Sequence, residues 1–348
     1  MGILLAIVVA ASWPEPLVGH DDISGRVGTA GGKRSAGSAV LLVRRERPYG
    51  LFARELGSRR FTEVHPSGGN SMYVLRDGPL VVLDIDATEV YELELRTIRD
   101  GDVRISFSPV ASRRDLLVCG WAPHGRALLV VSKWDIEREL LIYDIDSNVV
   151  RRTGIRQAWF CAVPEYRGDG EAAIAVITEE QRLFILRPGD LGVKGPYATN
   201  ACHACWQPGQ ARLAVIIRRT DDQEPRLTLL DAQTGKLGPR AALGAYTEAV
   251  FSSKGDVLLA CEEGQEADVV YSFDPDTLEA SPFLTLPGRR LSDFRFLAKD
   301  EVVMFLAWRI PKEGTITQSA DLMAYNILEG KTRLIASRVY NYAVWEPQ

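Results

Sequence analysis

Histidine is scarce in this 348-residue sequence, with only His20, His65, His124 and His203, and that leaves a multi-histidine metal centre poorly supplied. There is no H-E-x-x-H helix for metalloprotease zinc and no G-x-S-x-G elbow for an α/β-hydrolase serine. Gly28-Thr-Ala-Gly-Gly-Lys33 superficially suggests a phosphate loop. It has Val27 where the first glycine belongs and Arg34 where a hydroxyl must reach Mg²⁺, so it is rejected. No strongly helical stretch of about 10 to 12 residues is present, which excludes a Rossmann-type cofactor site. No apolar run approaches the ~20 residues of a membrane-spanning helix.

Charge of one sign is also lacking. The formal net charge is −5, and the Arg44-Arg45, Arg59-Arg60, Arg113-Arg114, Arg151-Arg152 and Arg218-Arg219 pairs are scattered among acidic residues. With no basic stripe to gather them, they read as solvated turn residues, and nucleic acid is discounted as a partner. The five cysteines, Cys119, Cys161, Cys202, Cys205 and Cys261, are odd in number in a chain too long to need disulfide staples. Cys202-His203-Ala204-Cys205 has no second pair to complete a zinc tetrahedron, so buried thiols are expected.

The sequence opens on an apolar run, Ile3 to Ala11, with Val9 and Ala11 spaced as a signal peptidase site requires but without the usual leading Lys or Arg. An exported and a cytoplasmic location both stay open. Residues 20 to 38 are rich in Gly, Ser and charge, so 1–37 is expected to be a leader or flexible lead-in to a single domain over 38–348.

What is present is a repeat. A marker of aromatic, any residue, Pro or small, polar, Gly occurs at Trp121-Ala-Pro-His-Gly125, Trp206-Gln-Pro-Gly209 and Phe251-Ser-Ser-Lys-Gly255. Phe296-Leu-Ala-Lys-Asp300 and Trp345-Glu-Pro347 continue it, and Val163-Pro-Glu165 is a weaker copy, at spacings of 42 to 49 residues. Apolar runs follow the markers at Ala127-Val131, Leu213-Ile217, Val257-Ala260 and Val302-Leu306. A second run then ends in a polar turn at Asp84-Ile-Asp86, Asp144-Ile-Asp146, Asp231-Ala-Gln-Thr-Gly235, Asp274-Pro-Asp276 or Asn326-Ile-Leu-Glu-Gly330. Asp and Asn close such turns through their own backbone, so these read as hairpins between third and fourth strands of a four-stranded meander.

Trp121-Ala-Pro-His-Gly, Leu128-Leu-Val-Val-Ser and Glu139-Leu-Leu-Ile-Tyr-Asp-Ile-Asp together resemble the W-S-P-D-G, L-A-F-x-S, L-Y-x-x-D-x-D repeat of TolB-like propellers. Similar blades occur in WD-repeat proteins and in the propeller domain of prolyl oligopeptidase-type peptidases. The resemblance covers 38 to 348 and implies an all-β, seven-bladed β-propeller of four-stranded antiparallel blades. It departs at Val163, where Trp is replaced, and in lacking Asp-Gly in most copies. TolB-like envelope proteins carry an α/β domain ahead of the propeller; the residues here before 38 are too few for one, and that role is not carried over.

Asn341 to Gln348 reads as an innermost strand with nothing after it, whereas Ala39-Arg44, Gly50-Arg54 and Arg60-Val64 read as three strands lacking one. Joining them makes one blade, closed by the C-terminal strand. Copies led by Val64, Trp121, Val163, Trp206, Phe251 and Phe296 make six more, with the count least regular between 64 and 121.

Propellers bind ligands where innermost strands converge. Three positions before the markers stand Phe61, Val118, Phe160, His203, Glu248, Asp293 and Tyr342. His203, Glu248 and Asp293 therefore form one candidate rung for a divalent cation such as Ca²⁺, or for proton transfer. Asn341, Tyr342 and Tyr246 stand at the same rim and extend the candidate ligand site, with Asn200 and Arg290 near it. The simpler reading is that these polar groups solvate a channel or hydrogen-bond backbone between blades. Trp121, Trp206 and Trp345, at one repeat position, read as inter-blade core.

The functional expectation is a non-catalytic binding module, holding protein partners or a small molecule at the propeller face. The alternative is a metal-assisted hydrolase or lyase at the channel mouth. Exposed apolar tips on the long hairpins Trp134-Arg138 and Trp308-Thr317 would favour the first.

Overall fold

In the computed structural model the described residues are 39–345, apart from 47–48, 57, 59, 66–70, 75–79, 85–87, 98–102, 123–125, 163–172, 222–223, 298–299 and 311–318. The lead-in 1–37, the Val163-Pro-Glu165 marker and most of the long Trp308-Thr317 hairpin thus lie outside them. The described residues form strands and connections only. No helix among them is long and apolar enough to cross a membrane.

Antiparallel meanders account for the architecture. The chain begins with β1 (Val40–Arg45), β2 (Gly50–Glu55) and β3 (Thr62–His65). Five four-stranded sheets follow. They are β4 (Ser71–Val74) to β7 (Val103–Arg113), with β5 (Leu80–Asp84) and β6 (Thr88–Thr97) between; β8 (Leu116–Trp121), β9 (Ala127–Ser132), β10 (Leu140–Asp144) and β11 (Val149–Arg152); and β12 (Ala158–Ala162), β13 (Ile174–Thr178), β14 (Leu183–Arg187) and β15 (Gly192–Ala198). The remaining two are β16 (Ala201–Trp206), β17 (Arg212–Ile217), β18 (Arg226–Asp231) and β19 (Leu237–Leu243); and β20 (Tyr246–Phe251), β21 (Leu258–Glu262), β22 (Val269–Phe273) and β23 (Ala280–Thr285).

The last strands, β24 (Arg289–Leu297), β25 (Val302–Arg309), β26 (Ala320–Asn326) and β27 (Lys331–Trp345), join β1 to β3 in one seven-stranded sheet. β27 is long enough to serve two partners. Its first half pairs with β26, from Asn326↔Lys331 to Ala320↔Val339, and its second half pairs with β1, from Arg45↔Val339 to Val40↔Trp345.

The apolar runs become strands covered on both faces, which explains why they read as continuous rather than alternating. β9 and β17 are buried almost throughout. The inner strands send alternate side chains into two different cores. In β1, Leu41 and Val43 pack toward β25 and β26, while Val40 and Leu42 pack toward β4 to β7. Trp206 lies in the core between the sheets of β13 and β17, and its indole donates to the Ala162 carbonyl at 3.0 Å. Trp121 and Trp345 pack against the equivalent cores.

The polar turns close as their chemistry dictates. Asp231 Oδ1 accepts from the backbone N–H of Gln233 and Thr234 at 2.8 and 3.0 Å, and Asp274 Oδ1 does the same for Asp276 and Thr277. Asp144 accepts from Ser147, and Asn326 from Glu329. The marker turns also grip one another: Gln207 Nε2 donates to Gly255 O at 2.6 Å, and Ser253 donates through backbone and hydroxyl to Asp300 at 2.8 and 2.7 Å. Gly255 has φ of +74°, and a Cβ there would stand 3.0 Å from Pro208 O. The marker glycine thus answers both a backbone and a space requirement.

One strand assignment needs correcting. Val64, read as leading the second copy, lies in β3, the last strand of its unit. The first strand of the next sheet is β4, which ends at Val74 and is followed by Leu75-Arg76-Asp77-Gly78. That is the marker of this copy, with an aliphatic residue where the aromatic stands elsewhere. Phe61 accordingly leaves the channel rung and packs against the core beside β1 and β2.

Candidate functional site

Five first strands share a local irregularity. The register shifts between Val118 and Gly120, Ala158 and Phe160, Ala201 and His203, Tyr246 and Glu248, and Ser292 and Arg295. Each shift is a bulge, in which the first strand carries one residue more than its partner and the side chains beside it are re-aimed. The candidate rung residues His203, Glu248 and Asp293 stand at or beside these bulges.

Their polar atoms are engaged with neighbouring backbone. His203 Nε2 lies 2.9 Å from the Ala249 carbonyl on β20, while its ring packs on Phe160 of β12 at 5.1 Å. Glu248 accepts from two backbone groups of β24, the N–H of Asp293 at 2.7 Å and that of Phe294 at 2.9 Å. The Tyr342 hydroxyl sits between the carbonyls of Asp293 and Met304, the latter at 3.0 Å. Arg295 lies over the Tyr342 ring, 5.5 Å from its centre. Asp293 itself has φ of +56°, a left-handed conformation that Asp tolerates better than most residues. Side chain to backbone links therefore run from β16 through β20 and β24 to β27.

Electrostatics follow from this crowding. Burial disfavours the ionised form of Glu248, and the nearby Asp293 carboxylate adds repulsion; the two accepted N–H bonds and Arg295 oppose them, and the balance raises Glu248 to about 8. Burial also raises Asp293, against the pull of Arg295. Burial lowers His203, so its imidazole is neutral at pH 7 and the tie to Ala249 is an N–H donation.

The structure brings Glu248, Asp293 and Tyr342 together and sets His203 beside them. Among the described residues, no group of three His, Cys, Asp or Glu side chains converges as a metal ion requires. Tyr246 is buried, packs edge-on to Phe273 at 5.8 Å, and burial raises its phenol to about 12. Asn341 lies in β27 opposite Arg44 and is half-buried.

Trp159 was missed in the sequence. It is the bulge residue of β12 and is 69% exposed. Comparing copies one residue earlier than the rung would have found it, in register with Leu117, Cys202 and Thr247. A second feature was legible: at the β9–β10 hairpin Trp134 is 80% and Ile136 96% exposed. Ile136 and Glu137 border a cavity of about 480 Å³ between the second and third four-stranded sheets, lined by Gly154, Ile155, Phe184 and Val193 together with Arg156, Gln157, Thr178, Glu180 and Arg182. Paired charges flank the hairpin, Arg156 with Glu137 at 2.9 Å and Arg138 with Glu179 at 2.7 Å.

The chain matches no protein-family model. It matches no curated protein sequence either. Solved structures do match. A 6-phosphogluconolactonase, described as putative, from Bacteroides fragilis aligns at TM-score 0.57 and 9% identity, over 90% of this chain and 100% of its own. An oligogalacturonate lyase in complex with manganese aligns at TM-score 0.54 and 14% identity, over 77% and 76%. The Dos1 propeller aligns at TM-score 0.53 and 10% identity, over 87% and 85%. The fold is a β-propeller. At these identities the likeness is one of fold alone, shared by proteins of different activity.

Proposed function

We propose that this chain is a non-catalytic propeller that binds a protein partner through the β9–β10 hairpin and the groove beside it. The reading takes 38–348 as one domain of seven blades, TolB-like or WD-repeat-like in its repeat, with β27 and β1 closing the ring. In that arrangement β27 ends the seventh blade and begins the first.

The carrying observation is the hairpin tip. A solvent-exposed Trp next to a nearly fully exposed Ile is costly surface for an isolated domain, and it is bordered by a groove of mixed apolar and polar lining and a rim of paired charges. An apolar centre with a polar rim is the anatomy of a protein interface, and Trp is the residue most enriched at its energetic centre. The polar groups of the channel rung, by contrast, hold neighbouring backbone.

Two comparisons test this. Proteins retained by the immobilised wild type are expected to include a stoichiometric partner that the Trp134→Ala/Ile136→Ser variant loses; identical retention by both would contradict the proposal. Calorimetric titration with Ca²⁺, Mn²⁺ and Zn²⁺ tests the metal-assisted alternative. No stoichiometric heat is expected, whereas binding abolished in Glu248→Ala/Asp293→Ala would move the functional site to the channel.

A further inference from the structure

Several arginines that leave full solvation in this fold are paired with carboxylates. Arg290 meets Asp268 at 2.7 Å, Arg289 meets Asp321 at 3.0 Å, and Arg113 meets Asp115 at 2.8 Å. Arg45 and Arg54 are different. Both are half-buried, at the end of β1 and within β2, and the guanidinium carbons lie 5.5 and 4.8 Å from the centre of one ring, that of Phe61. Arg45 also lies 5.7 Å from the Phe52 ring. Among the described residues the Nε of each is buried without an acceptor.

The third cation is close by. Arg45 pairs across the sheet with Val339, and the preceding residue, Arg338, is exposed, has φ of +58° and accepts the Glu46 N–H on its carbonyl. Two guanidinium groups thus share the Phe61 ring, with the Arg338 charge acting on Arg45 beside them, where β1 and β2 meet β27. Burial depresses both half-buried guanidinium groups and the Arg338 charge depresses Arg45 further, and among the described residues no carboxylate acts on either. Buried donors without acceptors and uncompensated like charges are both unfavourable.

We propose that Arg45, Arg54 and Arg338 form a binding site for an oxyanion, a small molecule carrying a carboxylate or phosphate group. The guanidinium fork matches the oxygens of either group in a bidentate manner, and the Phe61 and Phe52 rings hold the forks in place so that little side-chain freedom is lost on binding. The site lies apart from the β9–β10 hairpin and from the His203, Glu248 and Asp293 rung, and does not depend on the function assigned to either.

The test uses calorimetric titration of the full chain with inorganic phosphate and with citrate, each against sodium chloride of matched ionic strength. Saturable single-site binding of one probe is expected, weakened at least about tenfold, or roughly 1.4 kcal/mol, in Arg45→Gln and in Arg54→Gln and unchanged in Arg212→Gln. The stronger probe identifies phosphate or carboxylate as the group recognised. Absence of saturable binding of both probes, or equal binding by folded Gln variants, would overturn the proposal. A second measurement needs no variant: phenylglyoxal labelling of the wild type, read by mass spectrometry, is expected to show Arg45 and Arg54 protected by the bound probe. Equal labelling with and without probe would overturn it as well.

Discussion

Glu248 is held by opposing demands. Its two oxygens accept backbone N–H bonds that tie β20 to β24, yet burial and the Asp293 carboxylate disfavour its charge. The folded state therefore retains a proton that the unfolded chain releases in the ordinary carboxylate range. Because the folded pKa is the higher one, the native state binds more protons between the two values, and stability from this group falls as pH rises. It is fully present below the ordinary range and lost by about pH 8. Urea midpoints are accordingly expected to decrease from pH 5 to pH 8. Asp293→Asn keeps the left-handed backbone and removes the repulsion, so its midpoint is expected to change less over the same span. A wild-type midpoint flat across this interval would contradict the assignment.

Gly255 offers a sharper test at the same scale, since an alanine there meets both positive φ and the Pro208 carbonyl. Gly255→Ala is expected to lose more than about 1 kcal/mol by denaturant unfolding. This glycine and the acceptors Asp144, Asp231 and Asp274 were legible because each acts on its own turn, through local chemistry. The orientation of Glu248 was not legible, because its partners lie on another strand some 45 residues away.

Elements were read from markers, and the reading failed where the marker changed chemistry. β4 ends on Val74, with no aromatic residue, and the spacing of the other markers points instead to Val64 in β3. The bulges were hidden for a related reason. One extra residue reverses inward and outward alternation, and sequence spacing alone does not register the reversal. Trp159 owes its exposure to such a bulge, whereas Trp206, at the marker, is buried in the core. Trp206→Phe loses the bond to Ala162 O and part of the ring volume, and is expected to destabilise by about 1 to 3 kcal/mol. Trp134→Ala, on the hairpin tip, is expected to stay within about 0.5 kcal/mol of wild type in the same unfolding experiment. A large loss at Trp134 would show that the tip serves the fold rather than a partner.

At the scale of the molecule, the pairing of β1 with β27 was legible from the complementary ends of the chain, an innermost strand at one and three strands without one at the other. The pairing covers six residue positions on β1 and places Tyr342 and Ala343 fully inside the structure. If this pairing closes the proposed ring, deleting 339–348 exposes the cores on both sides of β1. The truncated chain is then expected to unfold at markedly lower urea or to aggregate, and a wild-type midpoint would contradict closure.

Function was less legible than fold because the same sheets serve unrelated activities. The partner-binding claim rests on one hairpin, so the most direct test carries a photo-activatable benzoyl-phenylalanine at position 136 or at position 159, in the cells that make the protein. A discrete cross-linked species from position 136, absent from position 159, is the expected result. Cross-links from position 159 with none from 136 would contradict the account and transfer the binding site to the channel mouth.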